Sequence, residues 1–219
     1  MNFFSVDSPI YRFLTRFWDM VKLNFLWLIC SLPIVTMGAA TVAAYSVTLK
    51  MVDENEGYIA KAFFKAFKEN LKQGSILGII SIIAVYAVWL DFQLFNVLDN
   101  NPVIFLILGI LAIFVFTLSL IYAFPLMARY HNSIPKTMKN SYDISVRYFL
   151  RTIFLALLIV FELAICMWNS ITIFVGILIG PACIFLTVSG FAIRFFREIE
   201  KEPGAVINEP DSGSDKTKK

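Results

Sequence analysis

Glu162 is the single ionised side chain between residues 152 and 193, and a carboxylate in so apolar a run is where proton or cation handling would start. Six residues on come Trp168, Asn169 and Ser170, an interfacial aromatic followed by two turn formers. Glu162 is therefore expected off the centre of its span, where it reaches the interface or pairs with a neighbouring Asn, Tyr or Ser. A solute pathway built on Glu162 and Asn169 is the alternative use. Gly74 and Gly78, and again Gly176 and Gly180, have the G-x-x-x-G spacing that lets helix backbones approach closely. Packing within one bundle is the plain expectation, although Gly180-Pro181 in mid-span is also the kind of break at which transporters hold substrate.

Other chemistry is thin. His131, the one histidine, stands beside Arg129 at the end of an apolar run, where a solvated or headgroup-contacting imidazole is expected rather than a catalytic base. Cys30, Cys166 and Cys183 lie in hydrophobic runs, are odd in number and form no C-x-x-C, so they read as small buried side chains. The sequence holds no G-x-x-x-x-G-K-[ST], H-E-x-x-H or G-x-S-x-G. Neither an enzyme nor a metal or cofactor is expected.

The elements that must position these residues follow from composition. Apolar residues make up 58% of the 219, charged residues 16%, and Phe alone accounts for 22 positions, whereas a soluble domain has roughly 45–50% apolar and about 25% charged residues. The net charge of +3 is too small and too localised for nucleic-acid binding, and anionic lipid headgroups are the expected counter-charge. Charge-poor blocks run over residues 23–49, 73–90, 102–128 and 152–193. Crossing about 30 Å of hydrocarbon takes about 20 helical residues, so the last block must be two spans joined at Asn169. Backbone groups left unpaired in lipid are costly and no segment alternates like a barrel strand, so every span is expected to be an α-helix.

The first block is longer than one span and shorter than two. Pro33 cannot continue a helix, and Thr36 before Gly38 is suited to cap a new one. Ser8-Pro9 lets the upstream helix begin early. Charge arbitrates between a hairpin and one kinked span. Of the 19 basic residues, three precede the first block, five lie in 50–72, five in 129–151 and six from Arg194 onward, with none in 91–101. A hairpin puts all of them on the cytoplasmic side and a kinked span leaves three outside, so the hairpin is favoured. The expected architecture is an all-α polytopic transmembrane bundle of five to six segments in about three hairpins. The segments are 9–32, 36–52, 58–90, 102–128, 147–168 and 170–195 within a membrane domain over 1–197. A disordered polar cytoplasmic tail over 198–219 follows.

Each hairpin is preceded by a basic amphipathic leader, over 12–22, 61–72 and 142–151, and returns to Lys50, Arg129 or Arg194. In the second leader Lys61, Lys65, Lys68 and Lys72 share one stripe opposite Ile59, Phe63, Phe67 and Leu71. This stripe is expected to lie on anionic headgroups or to dock a cytoplasmic partner.

The run LNFLWLICSLPIVTMGAA over 23–40, followed by Tyr45, Lys50 and FFKAFKEN over 63–70, resembles the signature of the YesL-like family, bacterial membrane proteins grouped as domain of unknown function 624. The resemblance is strong over about 24–73 and rests on hydropathy alone beyond it. It implies a small integral protein of the bacterial cytoplasmic membrane, often associated with carbohydrate uptake systems and their regulators, and brings no catalytic residues. The expected function is accordingly an accessory or interaction component of carbohydrate uptake or its regulation, with ABC-type sugar importer subunits or a membrane sensor as partners. The alternative is a small-solute transporter or channel using Glu162.

Overall fold

The computed structural model describes residues 9–53, 58–97 and 103–201, and every regular element among them is helical. In chain order these are α1 (Pro9–Ser31), a 3-10 turn at Ile34–Thr36, α2 (Met37–Val52), α3 (Ile59–Glu69), α4 (Leu71–Val97), α5 (Val103–Leu120), α6 (Ala123–Arg129), α7 (Ile134–Arg147), α8 (Phe149–Cys166) and α9 (Ser170–Glu200). Five stretches, 34–52, 71–97, 103–129, 149–166 and 170–200, are long and apolar enough to cross a membrane. The chain is a multi-pass membrane protein of the all-α bundle class. Helix α1 carries Arg16, Asp19 and Lys22 and falls outside those five.

The first block folds back on itself. Pro33 is extended, with φ −74° and ψ 115°, and the Thr36 hydroxyl donates to the Cys30 carbonyl at 2.7 Å. The Trp27 indole N–H then reaches the Thr41 hydroxyl at 3.1 Å across 14 residues, which one continuous helix would hold about 21 Å apart. Helices α1 and α2 therefore fold back on each other at Pro33 and are not one continuous helix.

Helix α2, rich in Gly, Ala, Ser and Thr, is the buried centre and packs on α1, α3, α4, α6 and α9. Small side chains allow that crowding. A Cβ added at Gly38 would stand 2.1 Å from the Gly74 carbonyl oxygen and 2.7 Å from Gly78 Cα, and one at Gly74 would stand 2.7 Å from Ala39 Cα. The first G-x-x-x-G pair is thus a backbone crossing inside the bundle, completed by Gly38. Aromatic rings seal the neighbouring layer, where Trp27 and Tyr45 both meet Phe185 edge to face and Tyr148 stacks on Phe195 at 4.6 Å. Large apolar side chains of α4, α5, α8 and the first half of α9 face outward, as lipid-solvated surfaces do.

Several boundaries differ from the sequence expectation. Segment 58–90 divides at Asn70, whose side-chain amide donates to the Ala66 carbonyl at 3.0 Å and so competes with the helical backbone. Lys72 consequently belongs to α4, not to the helix of the other three lysines. Segment 102–128 leaves helical geometry at Ile121 and Tyr122, and Pro125, which has no N–H to give the Ile121 carbonyl, is tolerated in the first turn of α6. The third leader lies earlier than expected, as α7, and α8 starts at Phe149. Helix α9 continues through Glu198 and Glu200, so the polar tail does not begin at 198. Ser8 and residues 202–219 lie outside the described residues.

Candidate functional site

Glu162 on α8 accepts a hydrogen bond from the Thr187 hydroxyl of α9 at 2.6 Å, while its second oxygen, Oε2, is enclosed without a partner. The carboxyl's partner is a Thr of the facing helix and not one of the Asn, Tyr or Ser side chains expected. Around it, Cys166 is one turn away on α8, and its sulfur would lie 3.0 Å and 3.4 Å from Cβ atoms added at Gly176 and Gly180. The second G-x-x-x-G pair thus makes room for a cysteine side chain and not for another backbone.

Asn169 is not part of this site. Its side-chain oxygen accepts the N–H groups of Ile171 and Thr172, each at 2.9 Å, and the Thr172 hydroxyl accepts from the Asn169 N–H at 2.9 Å. That is a capping box. Asn169 starts α9 at an exposed turn, and the structure does not bring it together with Glu162.

Pro181 does not break its helix either, since α9 runs unbroken from Ser170 to Glu200. A proline deprives the carbonyl four residues earlier, here Ile177, of its N–H partner. Asn24 of α1, 1% exposed, supplies the replacement by donating its amide to the Ile177 and Leu178 carbonyls at 2.8 Å each. The two acceptors fix which way the amide points, and its oxygen is left buried without a partner. Sequence reasoning missed Asn24. A polar amide at the head of the long apolar run over 23–40 was the available signal.

One face of the molecule carries an ionic layer. Arg129 donates to Glu200 through Nε at 3.1 Å and Nη2 at 3.2 Å and lies 3.7 Å from Asp53. Arg197 also donates to Asp53, the Tyr130 hydroxyl donates to Glu200, and Arg151 reaches Glu198 at 3.3 Å. These contacts hold the ends of α2, α6 and α9 and the beginning of α8 in one layer. Burial and the Glu200 carboxylate push the Tyr130 phenol well above its ordinary value, so it is a neutral donor in this network. His131 beside it is exposed.

Helix α3 buries Phe63 and Ala66 against α1 and α2 and leaves Lys61, Lys65 and Lys68 exposed. Lys65 touches Glu69 at 4.0 Å, too distant and too solvated to neutralise the stripe. Among the described residues no group of three His, Cys, Asp or Glu side chains could hold a metal.

Residues 20–92 match the family model described as "Protein of unknown function, DUF624". That stretch includes Asn24, Pro33, Gly38, Gly74, Gly78 and the lysines of α3, whereas Glu162 and Pro181 lie beyond it. A Bacillus subtilis (strain 168) protein, "Uncharacterized protein YesL", is 26% identical over 145 residues, covering 64% of this chain and 68% of that protein. No solved structure matches. The residues that carry the sequence resemblance fall inside the matched stretch, and the two matches support assignment of the chain to the YesL-like family of unknown function, DUF624.

Proposed function

We propose that this chain is an accessory component of the bacterial cytoplasmic membrane that docks a cytoplasmic partner, with carbohydrate uptake or its regulation as the process served. The observation that carries the reading is α3, anchored by Phe63 and Ala66 while Lys61, Lys65 and Lys68 remain exposed on its outer side. A helix fixed by its apolar face presents its charges in a constant geometry, which suits an acidic protein surface as well as headgroups. On this reading the ionic layer faces the cytoplasm, the carboxyl terminus is cytoplasmic and the chain is not an enzyme. Cross-linking at native abundance followed by mass spectrometry is expected to recover permease, ATPase or sensor subunits of a sugar importer. Recovery of the chain alone overturns the reading. Labelling of single cysteines placed at Asn55 and Asp99, both outside the described residues, is expected to report inside and outside respectively.

Glu162 favours a second reading, a small-solute transporter or channel, because an enclosed carboxyl oxygen without a donor between apolar helices is a position a solute or cation could fill. Vesicles reconstituted with the purified chain would then carry solute flux that drops on Glu162→Gln. Equal flux with and without protein, across a panel of sugars and monovalent cations, retires it.

A further inference from the structure

The α4–α5 and α8–α9 hairpins meet where Phe114 and Phe149 pack edge to face with ring centres 6.1 Å apart. Elsewhere they part and leave a cleft of about 500 Å³ floored by Tyr45 and Val188, within the range of ligand-sized cavities. The two floor residues are 6% and 2% exposed, whereas Val85 and Val160 at the rim are 70% and 62% exposed, so the cleft opens on the flank of the bundle. Every residue lining it belongs to one of the five stretches able to cross a membrane. Whatever enters comes sideways from the bilayer.

None of the lining side chains is charged. A phosphate headgroup would enter without a counter-charge, at a desolvation cost that apolar walls cannot offset, so the occupant is uncharged. Two hydroxyls interrupt the apolar lining, those of Tyr45 and Thr117, and neither has a hydrogen-bond partner among the described residues. Both are unusual in this. A Tyr whose ring is packed, as Tyr45 is on Phe185, generally finds a partner for its phenol. A Thr within a helix generally bonds the carbonyl one turn back, as Thr48 and Thr152 do. The rings of Phe116 and Phe124 also line the cleft, and their electron-rich faces suit a flat, electron-poor ring. The chemistry that matches is a neutral planar ring with carbonyl acceptors and an apolar tail.

We propose that the cleft binds the ring of an isoprenoid quinone, with the Tyr45 and Thr117 hydroxyls donating to its carbonyl oxygens and the tail leaving between Val85 and Val160 into the lipid. A quinone has no ionic group, so its ring is free of the anchoring that holds phospholipid esters near the membrane surface. Neither α3 nor Glu162 lines the cleft, so this site is separate from the partner-docking surface and from the enclosed carboxyl.

The test is native mass spectrometry of the full chain, delipidated in detergent and then supplied with one of three probes. These are a naphthoquinone bearing a geranylgeranyl tail, the naphthalene hydrocarbon with the same tail, and palmitoyl-oleoyl phosphatidylglycerol. One quinone per chain is expected, preferred over the hydrocarbon by roughly two- to tenfold for each hydroxyl engaged, the worth of one hydrogen bond. Tyr45→Phe and Thr117→Val should each lower that preference by the same factor and leave hydrocarbon binding unchanged. Ala156→Trp, which fills the cleft, should abolish quinone binding, while Leu157→Trp, at a position 61% exposed on the same helix, should not. The two hydroxyl variants carry the test should Ala156→Trp fail to fold. Equal binding of quinone and hydrocarbon by the unmodified chain, displacement of the quinone by equimolar phosphatidylglycerol, full quinone preference in both hydroxyl variants, or undiminished binding in the filled variant overturns the proposal.

Discussion

In α9 the helix runs unbroken past Pro181, while between α5 and α6 the chain leaves helical geometry at Ile121 and Tyr122, three residues ahead of Pro125. Both prolines strip a carbonyl of its donor inside an apolar bundle, where an unpaired backbone group is costly. At Pro181 one outside group, the Asn24 amide, reaches the stripped Ile177 carbonyl and its neighbour Leu178 at 2.8 Å each. At the α5–α6 junction α7 serves other groups than the Ile121 carbonyl that Pro125 strips, since Ser145 donates to the Leu118 carbonyl at 2.7 Å and the Tyr122 N–H donates to the Ser141 hydroxyl at 3.3 Å. Leu118 and Tyr122 are four residues apart and are each other's partners in a continuous helix. The α7 serines therefore compete with a bond that could form without them, whereas Asn24 replaces one that cannot form at all. Helix α1 is obligatory to its proline. Helix α7 is optional to the groups it serves.

Asn24→Leu breaks the comparison at its stronger side. It leaves the Ile177 and Leu178 carbonyls without the amide, and the expected loss is about 1–3 kcal/mol of stability, read from reversible unfolding in mixed micelles. Pro181→Ala in the same background restores an N–H to Ile177 and should recover most of that loss. A double-mutant cycle showing additive effects would mean that Asn24 acts elsewhere.

Replacing Ser141 and Ser145 together by Ala should cost less, about 1 kcal/mol or under, because the Leu118 and Tyr122 groups can then pair with each other. The price is geometric: α5 and α6 should straighten partway toward one helix. Distances between spin labels at Ile113 and Met127 would lengthen relative to the unmodified chain. A loss as large as that of Asn24→Leu, with no change in the distance, would remove the distinction between the two junctions.

How much of this was legible in the sequence differs between the same two places. Pro181 was visible and invited a broken helix; the helix is continuous because its rescuer, Asn24, lies 153 residues away in the chain, and no local pattern links them. Pro125 was equally visible, yet the apolar run over 102–128 reads as one span, since hydropathy does not register a turn whose backbone groups are satisfied by serines of another helix. Spans, the α8–α9 turn and the lysine stripe over 61–68 were legible because periodicity and charge are local. The partner of Glu162 was not, because Thr187 is 25 residues on and becomes a neighbour only when α8 and α9 pack. Gly38 announced nothing by itself; its role against Gly74 and Gly78 needs the α2–α4 crossing.

The smallest expected effect sharpens the comparison most. Pro125 occupies the first turn of α6, where an N–H would be unpaired anyway and a fixed φ is an advantage. Pro125→Ala should therefore destabilise the chain by only a few tenths of a kcal/mol, mainly by loosening the unfolded ensemble. It should also let the Ile121 carbonyl regain a helical donor, so that α5 and α6 straighten partway even with both serines present. Combined with the Ser141→Ala and Ser145→Ala pair, it should give the full label separation of a continuous helix. If Pro125→Ala alone instead costs as much as Asn24→Leu, then the proline shapes this junction and the serines merely follow it, and α7 is no more optional to the groups it serves than α1 is to Pro181.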